Sequence, residues 1–322
     1  MSFPLHFLFF VSLIFGSFVA INSSSWFVAW LGLEVNLLSI LPFMSSEKTK
    51  GSSESCVKYF LIQSMSSLLI LLSSIFILPT FFLSSIDFIF IGLCIKLGVA
   101  PFHFWFPIVM EGLNWFNCTL LMTWQKLAPL FLMSFVDLIV LVVILTCLVG
   151  SFGGFGQISI SKILAFSSIS HVGWMLAGMI LSSSVGITYF LVYFFMTILI
   201  VYIMNSFKLL YINQLTNSSG MLSLIIFFSF LSLGGLPPFL GFFPKWFIIE
   251  KLLWGSGIFA AALIFSSLIN LYFYFRLGYF CVFIKFYGGE VDLGGTIYVK
   301  SIFALFFLSS GGAFCYPLLS CM

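Results

Sequence analysis

A chain of 322 residues in which 62% are hydrophobic, 20% aromatic and only 7% charged cannot cover a soluble globule with polar surface, so it is expected to be an integral membrane protein. Repeated apolar segments of about twenty residues point to helices, whereas a membrane barrel would show segments of about ten residues alternating apolar and polar side chains. The net charge of +3 comes without any basic run or arginine-rich arm, which excludes nucleic acid as the expected partner.

Phe3 to Ile21 reads as a first span. It has neither the positive head and small-residue cleavage site of a secretory signal nor the Arg/Ser-rich pattern of an import signal, so the span is expected to be retained. The chain is then expected to be made inside the compartment whose membrane it occupies. Asn22 to Ser25 is a turn, and Trp26 to Met44 is the second span, with Glu34 near its midpoint. The segment Ser45 to Lys58 carries Glu47, Lys48, Lys50, Glu54 and Lys58 and is predicted to lie in water. A third span follows from Tyr59 to Leu83, frayed by Pro79, and a fourth from Asp87 to Phe106 holds Lys96 near its middle. Gly98 and Pro101 then open the hydrogen-bond ladder of that fourth helix.

Glu111 to Asn117 reads as a loop, and the fifth span, Thr119 to Val136, places Lys126 centrally with Pro129 one turn later. Asp137 marks a turn into the sixth span, Leu138 to Phe152. The run Gly150-Ser-Phe-Gly-Gly-Phe-Gly156 lacks the Gly-Lys-Ser/Thr ending of a phosphate loop and the strand before it, and is read as a turn. The seventh span, Ile163 to Leu181, follows Lys162 and carries His171, and the eighth, Ile187 to Phe207, stops near Lys208. After the polar segment Tyr211 to Gly220 comes a ninth, broken element: Met221 to Leu236, then Pro237-Pro238, then Phe242 to Leu253 with Lys245. The tenth, Ile258 to Phe286, holds Arg276 and Lys285, and a loop with Glu290, Asp292 and Lys300 leads to the eleventh, Ile302 to Leu319.

The expected fold is therefore all-α, a polytopic membrane protein of about eleven transmembrane helices forming a single membrane domain. Pro101-Phe-His-Phe-Trp-Phe-Pro107 reappears 137 residues on as Pro238-Phe-Leu-Gly-Phe-Phe-Pro244, and Gly98 is matched by Gly235. The two broken helices are the fourth and the ninth, so they cross the membrane in opposite directions. That is the pattern of two inverted five-helix repeats, residues 1–136 and 137–286, with residues 287–322 supplying the last loop and helix eleven. The loops after helices two, eight and ten hold Lys48, Lys50, Lys58, Lys208, Lys285 and Lys300, which puts the N-terminus on the positive-inside side and the C-terminus opposite.

Glu34, Lys96 and Lys126 lie too deep to reach the membrane surface, and a lone charge there costs about 2.5–3.5 kcal/mol on insertion scales, so each should face protein or water and find a partner. A buried lysine suits proton work because loss of water favours its neutral form and a nearby carboxylate its charged form. If Glu34 approaches Lys96 it holds that lysine protonated, and its withdrawal releases a proton toward Lys126. The alternative is a set of structural ion pairs that pin helices together. Lys245 is open to two readings, a proton carrier or a cation snorkelling from a half-helix end. His171 and His103 are each a relay or a satisfied hydrogen-bonding group, and Lys162 an interfacial anchor or the residue where protons enter. Glu111, Asp137 and Glu250 fall near span ends and read as loop or capping residues. Seven cysteines without a Cys-x-x-Cys pair give no metal or cluster pattern, and no cofactor box can be read from the aromatic residues.

Six motifs then carry a resemblance: Trp30-Leu-Gly-Leu-Glu34-Val-Asn36, Lys58-Tyr-Phe, Ile95-Lys96-Leu-Gly-Val-Ala-Pro-Phe-His-Phe-Trp105, Thr123-Trp-Gln-Lys126-Leu-Ala-Pro129, Lys162-Ile-Leu-Ala-Phe-Ser-Ser-Ile-Ser-His171-Val-Gly-Trp174 and Gly234-Gly-Leu-Pro-Pro-Phe-Leu-Gly-Phe-Phe-Pro-Lys245-Trp. In this order, over helices two to nine, the chain resembles the NADH dehydrogenase subunit 2 family of mitochondrial respiratory complex I. The resemblance implies an antiporter-like, proton-translocating subunit of the membrane arm in the mitochondrial inner membrane, with its N-terminus in the matrix and its C-terminus in the intermembrane space. Eleven helices would match the shortened animal form that lacks the first three of fourteen. Carried over, Glu34 and Lys96 would be the ion pair beside the first broken helix, Lys126 the central proton carrier, and Lys245 the carrier nearest the second. The chain would hold no cofactor: flavin, iron-sulfur clusters, NADH and quinone would belong to other subunits. Its partners would be other membrane-arm subunits of complex I and membrane lipids, and it would not be a homo-oligomer. Two other readings fit the residues, a freestanding cation/proton antiporter and a passive structural spacer.

Overall fold

The structure is a computed structural model and describes residues 3–46, 49–76, 82–136, 140–217 and 220–280. Among these residues it is helical, with thirteen α-helices and one 3-10 turn. The predicted helix eleven, together with Glu47, Lys48, Pro79, Asp137, Lys285, Glu290, Asp292 and Lys300, lies outside the described residues. Among the described residues five helices are long and apolar enough to cross a membrane: Trp26–Ser45, Lys50–Ile75, Ile160–Leu181, Ser183–Phe207 and Gly257–Gly278. The chain divides into two compact units, Met1–Thr146 and Cys147–Met322.

The first unit holds α1 (Phe3–Ile21), α2 (Trp26–Ser45), α3 (Lys50–Phe76), α4 (Phe82–Leu97), α5 (Trp105–Glu111), α6 (Trp115–Met122) and α7 (Trp124–Met133). Helices α1 and α2 meet backbone to backbone: a Cβ on Gly32 would stand 2.5 Å from the Ala20 nitrogen, so only glycine permits the approach. Helix α3 differs from the expected third span because the polar stretch from Lys50 onward folds as its first turns. Its 27 residues reach about 40 Å, longer than a hydrocarbon core of about 30 Å, so a charged end can project beyond the apolar layer. There Lys58 pairs with Glu54 one turn earlier at 2.5 Å.

The predicted fifth span is two helices rather than one. Its ladder is interrupted at Thr123 (φ −114°, ψ −76°), which joins α6 to α7. The Thr123 hydroxyl donates back to the Thr119 carbonyl at 2.5 Å, the local bond by which threonine bends a helix. Lys126 therefore sits in the first turn of α7, just past the bend.

Helix α8 (Val140–Gly153) leads into the second unit, which holds α9 (Ile160–Leu181), α10 (Ser183–Phe207), a 3-10 turn at Ile212–Asn217, α11 (Gly220–Gly234), α12 (Phe242–Leu253) and α13 (Gly257–Gly278). Helix α9 is buried on nearly every side, including Ser167, Ser168, Ser170 and His171, and makes contact with α10, α12 and α13. Gly178 of α9 and Gly186 of α10 let those two helices touch: a Cβ on Gly178 would lie 3.0 Å from the Gly186 Cα.

The two breaks anticipated at glycine and proline are built alike. Helix α4 ends as Gly98 turns left-handed (φ 69°), with Gly98 N–H on the Ile95 carbonyl and Val99 N–H on the Cys94 carbonyl. Helix α11 ends as Gly235 does the same (φ 81°), with Gly235 N–H on Ser232 and Leu236 N–H on Leu231. The chain resumes as helix at Trp105 in the first case and at Phe242 in the second.

Candidate functional site

Lys96 occupies the last turn of α4, immediately before the first break, and is buried with 8% of its surface exposed. Lys126, in the first turn of α7, is 2% exposed, and its ammonium lies 4.8 Å from the centre of the Phe106 ring. Both lysines line one small cavity inside the first unit, together with Asn36, Tyr59, Gln63 and Gln125. The cavity has room for about one water molecule, and its walls offer the polar partners such a water needs.

Three of those wall residues are joined to each other. The Tyr59 hydroxyl donates to Gln125 Oε1 at 3.4 Å, and Gln125 Nε2 donates to Asn36 Oδ1 at 3.2 Å. Gln125 thus ties α7 to both α2 and α3 at the cavity wall. At the first break the Trp105 indole donates at 3.1 Å to the Ile95 oxygen, which also accepts from the Gly98 N–H.

No contact of 4.0 Å or less joins Glu34 to Lys96, although the carboxylate is near enough for its charge to act on that lysine. Glu34, half-buried on α2, takes a 2.6 Å hydrogen bond from the Ser67 hydroxyl of α3. A hydroxyl on the facing helix offers this carboxylate a partner, and Lys96 faces the cavity instead.

In the second unit Lys245 lies in the first turn of α12, 5% exposed. Its ammonium donates to the Gly234 carbonyl at 2.8 Å and stands 5.9 Å from the centre of the Trp174 ring. His171 shares a hydrogen bond of 2.8 Å between Nδ1 and the Tyr189 hydroxyl, and its ring centre is 5.1 Å from that of Tyr193. A second small cavity is lined by His171, Tyr189, Tyr193, Gly241 and Pro244, so His171 reaches the second break. Nearby on α9, Ser170 accepts from Asn270 of α13 at 2.8 Å.

His103 sits within the first break, buried and packed on Phe104 with ring centres 4.2 Å apart, and does not line the lysine cavity. Lys162 is half-buried in the first turn of α9, more than two helical turns before His171. Glu111 ends α5, and Glu250 is exposed near the end of α12. The structure thus gathers Lys96 with Lys126 and brings His171 to the second break, while Glu34 and His103 do not line the lysine cavity. The sequence reading did not single out Gln63, Ser67 and Gln125 as site residues. A signal existed for two of them, since Tyr59, Gln63 and Ser67 recur every fourth residue along the span and so fall on one helix face.

Residues 23–88 and 79–270 match the family described as "NADH:quinone oxidoreductase/Mrp antiporter, TM", a range that contains every one of these side chains. A NADH-ubiquinone oxidoreductase chain 2 from Anopheles gambiae is 47% identical over 287 residues, covering 84% of each chain. The chain belongs to the NADH-ubiquinone oxidoreductase chain 2 family. Its members from Aedes aegypti and Locusta migratoria are 43% and 38% identical, each again over 84% of both chains.

Solved structures extend the fold beyond this family. A chain of respiratory complex I from Thermus thermophilus superposes with a TM-score of 0.85 at 20% identity, over 98% of this chain and 79% of that one. A chain of the archaeal membrane-bound sulfane sulfur reductase gives 0.81 at 19% identity, over 96% and 73%. The Mrp complex from Dietzia gives 0.78 at 19% identity, over 85% and 60%. The chain therefore has the antiporter-like membrane fold. In this member the first break is where two buried lysines share a wall, and the second is where one buried lysine caps the helix that precedes it.

Proposed function

We propose that this chain is a proton-translocating membrane-arm subunit of NADH:ubiquinone oxidoreductase in the mitochondrial inner membrane. In this reading it carries protons and no redox group of its own, and the flavin, iron-sulfur clusters and quinone site belong to partner subunits. The observation that carries it is the single cavity shared by Lys96 and Lys126 beside the first helix break. Two ammonium groups around about one water repel each other in a low-dielectric interior, so a proton held by one raises the cost of a proton on the other. That coupling favours passing a proton between them over storing two.

Glu34 sets the first lysine: when its carboxylate pairs with Lys96 the proton stays, and when it is held elsewhere the proton is free to move toward Lys126. His171, reaching the second break, passes the charge on toward Lys245, and Lys162 is the residue at which protons enter from the positive-inside side. His103, within the first break, is a further relay or a hydrogen-bonding group of that break. In this reading the helices are two inverted repeats, helices one to five related to helices six to ten, whose broken helices cross the membrane in opposite directions. The N-terminus then lies in the matrix and the C-terminus in the intermembrane space.

The deciding experiment replaces Lys126 by methionine in the assembled complex within sealed vesicles. Proton uptake coupled to quinone reduction should fall at least tenfold, in the range expected for loss of a proton-transfer group, while the amount of assembled complex stays unchanged. Normal pumping by an assembled Lys126→Met complex overturns the reading.

A further inference from the structure

Ser67 holds the carboxylate of Glu34, and the chemistry of that contact gives it a part in the switch. Its hydroxyl oxygen stands 2.6 Å from Glu34 Oε1 and 2.8 Å from the Ser64 carbonyl, one turn earlier in α3. A hydroxyl has a single proton and serves one acceptor at a time. An ionised carboxylate is the stronger acceptor of the two, since charge-assisted hydrogen bonds are roughly twice as strong as neutral ones. When Glu34 leaves, the hydroxyl turns to the Ser64 carbonyl and no buried donor is left unmade. Ser67 is fully buried, so this fallback decides whether the carboxylate can depart without leaving an orphaned group behind.

The position of Ser67 adds a second argument. Tyr59, Gln63 and Ser67 recur at every fourth residue of α3 and so share one helix face. Tyr59 and Gln63 line the cavity of Lys96 and Lys126, and both are buried. The polar face of α3 therefore runs without interruption from the site where Glu34 is held to the wall of the lysine cavity.

We propose that Ser67 is a positioning residue that holds Glu34 short of direct contact with Lys96, from which the carboxylate moves along the Ser67–Gln63 face of α3 to pair with that lysine. The inference rests on the proton-carrying role given to the lysines above. Removing the hydroxyl takes a charge-assisted hydrogen bond from one state only, and shifts Glu34 toward Lys96 by about tenfold. The first lysine is then held protonated for longer, and coupled turnover slows.

The test uses the assembled complex in sealed vesicles, with proton uptake during quinone reduction as the readout and native electrophoresis to measure assembly. Ser67→Thr and Ser67→Val have nearly the same shape and differ in the hydroxyl. The threonine variant should pump close to the parent rate and the valine variant about tenfold more slowly. On a Glu34→Gln background the two should be indistinguishable, because Ser67 acts through the carboxylate. Equal rates for Thr and Val with Glu34 present overturn the assignment, and so does the same Thr-to-Val loss on both backgrounds, which would mark a packing effect. If Lys126→Met pumps normally, the proton role itself has failed. If Lys126→Met is impaired while Ser67→Val matches Ser67→Thr, only the assignment of Ser67 has failed.

Discussion

Lys245 Nζ donates a hydrogen bond of 2.8 Å to the carbonyl of Gly234, the last residue of α11. That oxygen is one of the terminal helix carbonyls with no intrahelical donor. A neutral amine still carries N–H bonds, so the contact can survive the loss of a proton. Lys245 thus closes the break, at the position proposed above for a carrier. Lys245→Met keeps the length and removes the donor, which should destabilise the second unit by about 1–3 kcal/mol. Thermal unfolding of the purified complex, followed by loss of coupled activity, should shift downward, and an unchanged midpoint would show that the contact contributes nothing.

Gly241 is where the second break comes nearest to the helix before it. A Cβ there would stand 2.0 Å from the Ser232 carbonyl oxygen, a backbone atom that cannot rotate away. Gly241→Ala should cost at least about 1–3 kcal/mol of overpacking strain and reduce the assembled complex. Gly257, at the start of α13, has nothing within 4 Å of its added Cβ. Gly257→Ala should assemble normally, and native electrophoresis of the two variants side by side makes the comparison.

Gln125 spans the cavity wall through Asn36 and Tyr59. Gln125→Leu deletes both bonds and strands two buried partners, each at about 1–3 kcal/mol. Reduced stability together with a lower proton-to-electron ratio is the expected result. Gln125→Glu keeps the acceptor for Tyr59 but loses the donor to Asn36, and should fall between the parent and the leucine variant in the same assay.

Lys208 caps α10 in the left-handed region, at φ 54°. A residue with a Cβ pays about 1–2 kcal/mol for that conformation, and glycine does not. Lys208→Gly should therefore raise the thermal midpoint slightly with pumping unchanged, and a lowered midpoint would count against the strain.

Much of the architecture was legible because its causes are local. Gly98 and Gly235 adopt the left-handed conformation that ends a helix, and the prolines just beyond prevent the ladder from resuming at once, so both breaks could be placed from the residues alone. The bend at Thr123 was not legible, since it depends on a hydroxyl choosing the Thr119 carbonyl over other partners. Likewise, the polar stretch from Lys50 read as a loop because charge and apolar content say where water is, not whether the backbone is helical there.

By itself the sequence determined that this is a helical membrane protein, where two of its helices break, and that Lys96 and Lys126 would be buried, while it left Lys245 open. Hydrophobicity and backbone preference act along the chain, and both can be read there. Tertiary structure alone decided the partners: Glu34 with Ser67, 33 positions away, Gln125 with Asn36 and Tyr59, 89 and 66 positions away, and Lys96 facing the same cavity as Lys126. Each pairing depends on how one helix is rotated and set against another, and that is fixed by packing between helices rather than by any residue's own preference.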